Sequence, residues 1–161
     1  MTNDDPIGYF ITWTVYGTFL QGDQRWWKNR REGSTPPQPL LEQWHRNRLN
    51  HDVILLSQEQ REVVGAEIHR LSDFRGWRLW VANPRTNHVH VVVTASEHSG
   101  KQVRDQIKAN CTRVLRERFP EYVGRPVWTV GGDWKCLNTD KELDDAIKYA
   151  GEAQDRMDRG K

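Results

Sequence analysis

Residues 87–94 read Asn-His-Val-His-Val-Val-Val-Thr. The run is dense in β-branched residues, which favours a strand. Alternate residues of a strand share a face. His88 and His90 therefore project together, while Val89, Val91 and Val93 project to the opposite, core side. Two imidazoles at i and i+2 on a stiff strand can ligate one divalent ion. They can equally be hydrogen-bonding groups on a solvated sheet face, and the spacing alone does not separate the two. Asn87 suits a turn, or the orientation of a phosphate.

Working outward, Trp77–Ala82 alternates into a second strand that Asn83-Pro84 is expected to end. Ser57 and Gln60 form a capping box ahead of Val63, Val64, Ile68, Leu71 and Phe74 at helical spacing, with Gly76 as the stop. Tyr9–Tyr16 (YFITWTVY) is all β-branched or aromatic and predicts the opening strand. On the C-terminal side, Lys101–Arg118 predicts an amphipathic helix with Val103, Ile107, Val114 and Leu115 on one stripe, closed by Pro120. Val127–Leu137 (VWTVGGDWKCL) reads as a hairpin turning at Gly131-Gly132 or Gly132-Asp133. Thr139 and Glu142 form a second capping box, and a last helix is expected to run to about Gln154.

This order predicts an α+β fold, an antiparallel ferredoxin-like or RRM-like sheet with helices packed on one face. At 161 residues the chain is expected to be a single domain over 1–161, because domains average roughly 150 residues. The composition breaks at about residues 22–50, rich in Pro, Gly, Arg and Trp and without a period, which reads as a long excursion from that domain.

No run approaches the roughly 18 apolar residues of a membrane span. The start, MTNDDPIGYF, lacks the basic and apolar segments of a signal peptide. Cys111 and Cys136 are too few for a disulfide framework, so a reduced, cytoplasmic (nucleoid-associated) location is expected. The formal net charge of +2 is slight for a nucleic-acid binder, but it is unevenly distributed along the chain. Residues 22–50 carry +3 and residues 101–118 carry +4, leaving −5 elsewhere. Arg25, Lys28, Arg30 and Arg31 are interleaved with Trp26 and Trp27, a pattern in which rings stack on bases and cations hold phosphates. The same tryptophans could instead anchor the excursion on the domain. Lys101, Arg104 and Lys108 form one ridge at i, i+3 and i+7 that can follow a phosphate backbone, or serve as a solvated helix face.

Four tyrosines are present, and Tyr149 is the one on a helix with polar neighbours. Leu143, Ala146, Ile147 and Ala150 define that helix's buried stripe, and Tyr149 lies about 110° from its centre. It is at the edge of the packed face, placed either to reach a site or to shield the core.

The segment Asn-His-Val-His-Val-Val-Val resembles the HUH (His-hydrophobe-His) strand of single-tyrosine transposases, including the REP-associated tyrosine transposases. The opening GYFITWTVYGTFLQGD, the helix KQVRDQIKANCTRVLRERFP, the segment RPVWTVGGDWKCLN and the final ELDDAIKYAGEAQD resemble the corresponding parts of that family in the same order. The resemblance implies an HUH-type fold and a nicking and strand-transfer enzyme acting on single-stranded or hairpin DNA. It implies Tyr149 as nucleophile, forming a 5′-phosphotyrosine, with His88 and His90 holding Mg2+ or Mn2+. Relatives often place Gln or Asn four residues after the tyrosine. Here that residue is Ala153, and Gln154 is taken as the third ligand, with Glu152, on the face of Tyr149, as its rival. Monomers and homodimers both occur among such proteins. The alternatives are a non-catalytic nucleic-acid-binding module on the same fold, or a metal-dependent hydrolase in which Tyr149 is a bystander.

Overall fold

The computed structural model of the protein describes residues 5–18, 27–29, 33–35 and 51–153. The elements are β1 (Gly8–Thr14), β2 (Trp27–Asn29), β3 (Gly33–Thr35), α1 (Gln58–Arg75), β4 (Arg78–Pro84), β5 (His88–Thr94), α2 (Gly100–Arg118), a 3-10 turn (Pro120–Tyr122), β6 (Asp133–Leu137) and α3 (Asp140–Glu152). Four strands form one antiparallel sheet in the order β4-β5-β1-β6, the ferredoxin-like arrangement expected from the sequence. β2 and β3 form a separate two-stranded ribbon inside the 22–50 excursion, most of which lies outside the described residues.

The two histidines stand on one of the two central strands. Thr14 of β1 lies opposite His88 and Thr12 lies opposite His90. Odd-numbered residues of both strands build the larger core: Ile11, Trp13, Val89, Val91 and Val93 are buried there with Val64 and Ile68 of α1 and Val103, Ile107 and Leu115 of α2. Each such side chain contributes about 1.5–3 kcal/mol on burial. Helices α1 and α2 thus cover one face, as expected. The last helix does not join them. α3 lies on the opposite face, packing Leu143, Ala146 and Ala150 against Val92, Leu137 and partly buried Phe10 and Val81. That face is the one the histidines share.

The helix ends follow the local signals. Ser57 and Gln60 exchange capping-box hydrogen bonds at the start of α1, and Gly76 ends it in the left-handed region at φ 72°. Ser99 and Gln102 make a second reciprocal box on α2. Thr139 caps α3 by accepting from the Glu142 amide. Phe74, expected on the apolar stripe of α1, is instead 72% exposed; the stripe turns away from the core in the last turn.

Two strand readings change. Asn83-Pro84 does not end β4, which runs through Pro84, with Asn83 opposite His90 and Pro84 opposite Val89. Proline is tolerated here because β4 is an edge strand. The stretch 127–137 is not a hairpin. Both of its halves pair with β1, Trp128 opposite Val15 and Asp133–Leu137 opposite Thr12–Gly8. Three steps along β1 correspond to five along its partner, so the glycines form a bulge within an edge strand. Gly131 and Gly132 have φ of 84° and 122°, conformations that suit glycine in a bulge as well as in a turn.

Candidate functional site

Strand alternation places Phe10 and Thr12 of β1 beside His88 and His90 of β5 on the α3 face. The face is not solvated: His88 is 1% exposed and His90 5%. Their ring centroids are 4.6 Å apart with the planes nearly perpendicular. Each ring is held through Nδ1. His88 Nδ1 donates to the Asn87 carboxamide oxygen at 2.5 Å, and His90 Nδ1 shares a hydrogen bond with the Thr12 hydroxyl at 3.2 Å. In the tautomer that donates Nδ1–H to Asn87, the lone pair of a neutral His88 ring is on Nε2. This pattern, one ring nitrogen oriented by an oxygen, is typical of metal-ligating histidines. The Asn87 Nδ2 atom is buried without a hydrogen-bond partner among the described residues.

Tyr149 reaches this pair from α3. Its ring centroid is 5.9 Å from that of His90 and 5.7 Å from that of Phe10. Phe10 also meets His90 edge-on at 5.6 Å. Phe10, His90 and Tyr149 therefore form a three-ring cluster at one end of α3. Tyr149 is 55% exposed, so it can meet a large substrate at the surface. Tyr9 donates its hydroxyl to the His98 carbonyl and buried Tyr122 to Gln60, so neither serves this site.

The metal donor set is incomplete among the described residues. No three His, Cys, Asp or Glu side chains converge there, so Glu152 does not complete a set with the two histidines. α3 ends at Glu152, and Ala153 has extended backbone (φ −61°, ψ 140°). The expected continuation of the helix to Gln154 is therefore interrupted, and Gln154 itself lies outside the described residues. In donor type the two imidazoles suit a divalent ion that accepts nitrogen ligands, of whose shell they would supply two positions.

The expected basic ridge on α2 is largely used within the fold. Arg104 is buried; its guanidinium donates to Gly132 O at 2.8 Å and pairs with Asp105 at 3.0 Å. Lys108 Nζ donates to Thr129 O at 2.9 Å and Gly131 O at 2.6 Å. Burial, and then the neighbouring Arg104 charge, pushes the Lys108 ammonium down to about 8, against some relief from Asp105. These two cations pin the glycine bulge. Only Lys101 of the three faces solvent, near Asp105 at 3.5 Å. Arg25, Trp26, Arg30 and Arg31 lie outside the described residues, and Trp27 and Lys28 are described only as backbone in β2.

Sequence patterns singled out both histidines and Tyr149, which the fold brings together. They missed Phe10, Thr12 and Asn83. The first two share the period-2 face of β1, a signal that becomes readable once the β1–β5 register is known. Asn83 donates its carboxamide N–H groups to Ala150 O at 2.7 Å and Ala153 O at 3.1 Å. Its Asn-Pro context points to a turn and hides that contact.

No protein-family model matches the sequence, and no curated protein does. Among solved structures, a protein from Deinococcus radiodurans assigned as a transposase is similar over 93% of this chain and 93% of its own, at 10% identity and a TM-score of 0.55. A REP-associated tyrosine transposase bound to a REP hairpin aligns with 93% of this chain and 67% of its own, at 16% identity and a TM-score of 0.46, too low to add to the fold assignment. Among the described residues no helix is long and apolar enough to cross a membrane. By the first of these likenesses, this chain has the fold of the Deinococcus radiodurans transposase structure.

Proposed function

We propose that this protein is a metal-dependent transposase-type enzyme that cuts and rejoins single-stranded or hairpin DNA by transesterification, with Tyr149 as nucleophile. The observation that carries the reading is the Tyr149 ring standing against His90, one member of a buried histidine pair, on the face that α3 covers.

The chemistry follows from the groups. The Tyr149 oxygen attacks a backbone phosphorus, and the bond from phosphorus to the 3′ oxygen breaks. The phenolic proton leaves to solvent on the exposed side of the ring, and the departing 3′ oxygen takes up a proton. The products are a 5′-phosphotyrosine and a free 3′-OH. A 3′-OH of a second strand then attacks the same phosphorus and releases the tyrosine. One phosphodiester is exchanged for another, so no external energy source is required. His88 and His90 would hold Mg2+ or Mn2+, with Gln154 as the proposed third ligand; when bound, such an ion polarises the phosphate and offsets charge on the leaving oxygen. Asn87 and Thr12 fix the two rings. Phe10 backs the rings of both His90 and Tyr149. Lys101, with Arg25, Trp26, Trp27, Lys28, Arg30 and Arg31 of the excursion, would contact the DNA.

The test is incubation with a single-stranded oligonucleotide carrying a hairpin, in Mn2+ or Mg2+, read on a denaturing gel and by mass spectrometry of the adducted peptide. The wild-type protein is expected to form an adduct on Tyr149, and Tyr149→Phe to bind DNA without forming one. An adduct on the Phe variant would refute the assignment. DNA binding with no adduct in the wild type would identify a non-catalytic module, and cleavage with no adduct would identify a hydrolase.

A further inference from the structure

We propose that Asn83 is the positioning residue that sets Tyr149 against the histidine pair; the inference rests on the function proposed above. The last carbonyls of a helix have no partner within it. At the end of α3, Ala150 O, which also accepts from the Ala153 amide at 3.4 Å, and the carbonyl of the capping residue Ala153 are both met by Asn83 Nδ2, at 2.7 and 3.1 Å. Ala150 directly follows Tyr149 in sequence. On the sheet side, Asn83 is the residue of β4 opposite His90 of β5. One carboxamide thus links the strand register that carries His90 to the helix turn that carries Tyr149.

Packing at that turn combines the small buried side chains of Ala146 and Ala150 with partly buried Ile147 and the contacts of the Tyr149 ring with Phe10 and His90. None of these contacts fixes the helix terminus in direction as a hydrogen bond does. Gly151, beside which an added Cβ would find nothing within 4 Å, loosens the end. A directional donor at the helix terminus supplies what these contacts lack. The Asn83 contact also closes the helix at the point where Ala153 turns into extended backbone. Because a displacement of about 1 Å from reactive geometry can cost 100-fold in rate, such a clamp acts on the chemical step more than on substrate affinity.

The test uses Asn83→Asp, which keeps the shape but presents acceptor oxygens to the two carbonyls, and Asn83→Ala. Adduct formation on the hairpin oligonucleotide is followed under single-turnover conditions with Mn2+, and amide hydrogen exchange is measured along the chain. We expect the rate constant at saturating DNA to fall about 10- to 100-fold, the half-saturating DNA concentration to stay unchanged, and exchange to accelerate over residues 149–153 and not in α1. Rescue to an intermediate rate is expected for Asn83→Ser, a milder change that keeps one short donor and serves if the other variants do not fold. An unchanged rate constant overturns the inference and leaves the proposed function standing. A lower rate with equally faster exchange through α1 also overturns it, because general loosening then accounts for the loss. No adduct from the wild-type protein overturns both.

Discussion

The ring of Tyr149 stands edge-on to the ring of His90, with centroids 5.9 Å apart and planes at 88°. They come from elements separated by the whole of α2 and β6, and they meet because α3 crosses to the sheet face opposite α1 and α2. Placing all three helices on one face would leave the tyrosine on the wrong side of the sheet from the histidines. This departure from a simple two-layer sandwich is therefore what assembles the candidate site.

Phe10 touches both rings of that pair, at 5.6 and 5.7 Å. Phe10→Ala removes a partly buried aromatic from the smaller core and the shared backing of His90 and Tyr149. A stability loss of about 3 kcal/mol is expected from truncation at a core site, together with a larger fall in adduct rate than Phe10→Leu causes. Denaturant melts of both variants beside single-turnover gels check this. Equal adduct rates in wild type and Phe10→Ala would show that the backing is irrelevant to the chemistry.

Asn87 and Thr12 orient the two imidazoles through Nδ1. Removing an orienting group of a metal-ligating histidine costs about 10- to 100-fold in metal affinity. Asn87→Ala and Thr12→Val are each expected to weaken Mn2+ binding in that range, as measured by electron paramagnetic resonance of free Mn2+ during titration. His88→Ala combined with His90→Ala should abolish it. Wild-type affinity in the first two variants would remove Asn87 and Thr12 from the site.

The glycine bulge offers a comparison between neighbours. A Cβ on Gly131 would meet nothing within 4 Å, whereas one on Gly132 would lie 3.0 Å from both Thr12 O and Trp13 Cβ. Both have positive φ. Gly131→Ala is expected to cost about 1–2 kcal/mol, the left-handed penalty alone. Gly132→Ala adds a close contact against β1 and should cost more. Thermal unfolding of the two variants decides it, and equal losses would mean that the strand yields without cost. Because Thr12 also bonds His90, Gly132→Ala should in addition lower Mn2+ affinity.

The elements were legible where a local signal had a local cause. The capping box at Ser57, the stop at Gly76 and the alternation of His88–Thr94 all appear in the structure as read. What failed was pairing and facing, which depend on distant residues. Gly131-Gly132 looks the same in a hairpin turn and in a bulge, and the choice was made by β1, which pairs with both flanking segments. Arg104 and Lys108 look the same on a solvated ridge as under a loop, and the loop's carbonyls decided. Asn83 carries a turn signal in sequence and a helix-terminus contact in space. The histidines and Tyr149 could be singled out because a strand period and a helix edge are intrinsic to their own segments, and the fold brings their rings together.

Lys108 gives a prediction in pH. Its ammonium is held down to about 8 chiefly by burial, while an unfolded lysine titrates near 10.4. Between those values the unfolded chain keeps a proton that the folded chain has released. Unfolding must then take up a proton, so folded stability rises with pH across this window. Below about pH 8 the side chain is charged in both states, and the folded protein bears the full penalty of burying the charge. Lys108→Met carries no such group. The stability of the wild type relative to Lys108→Met should therefore increase as pH is raised from 8 to 10, by an amount that solvent screening of a half-buried side chain reduces. Paired urea melts at several pH values measure it. Parallel stability profiles for the two proteins would show that Lys108 titrates normally and does not pin the bulge from a buried position.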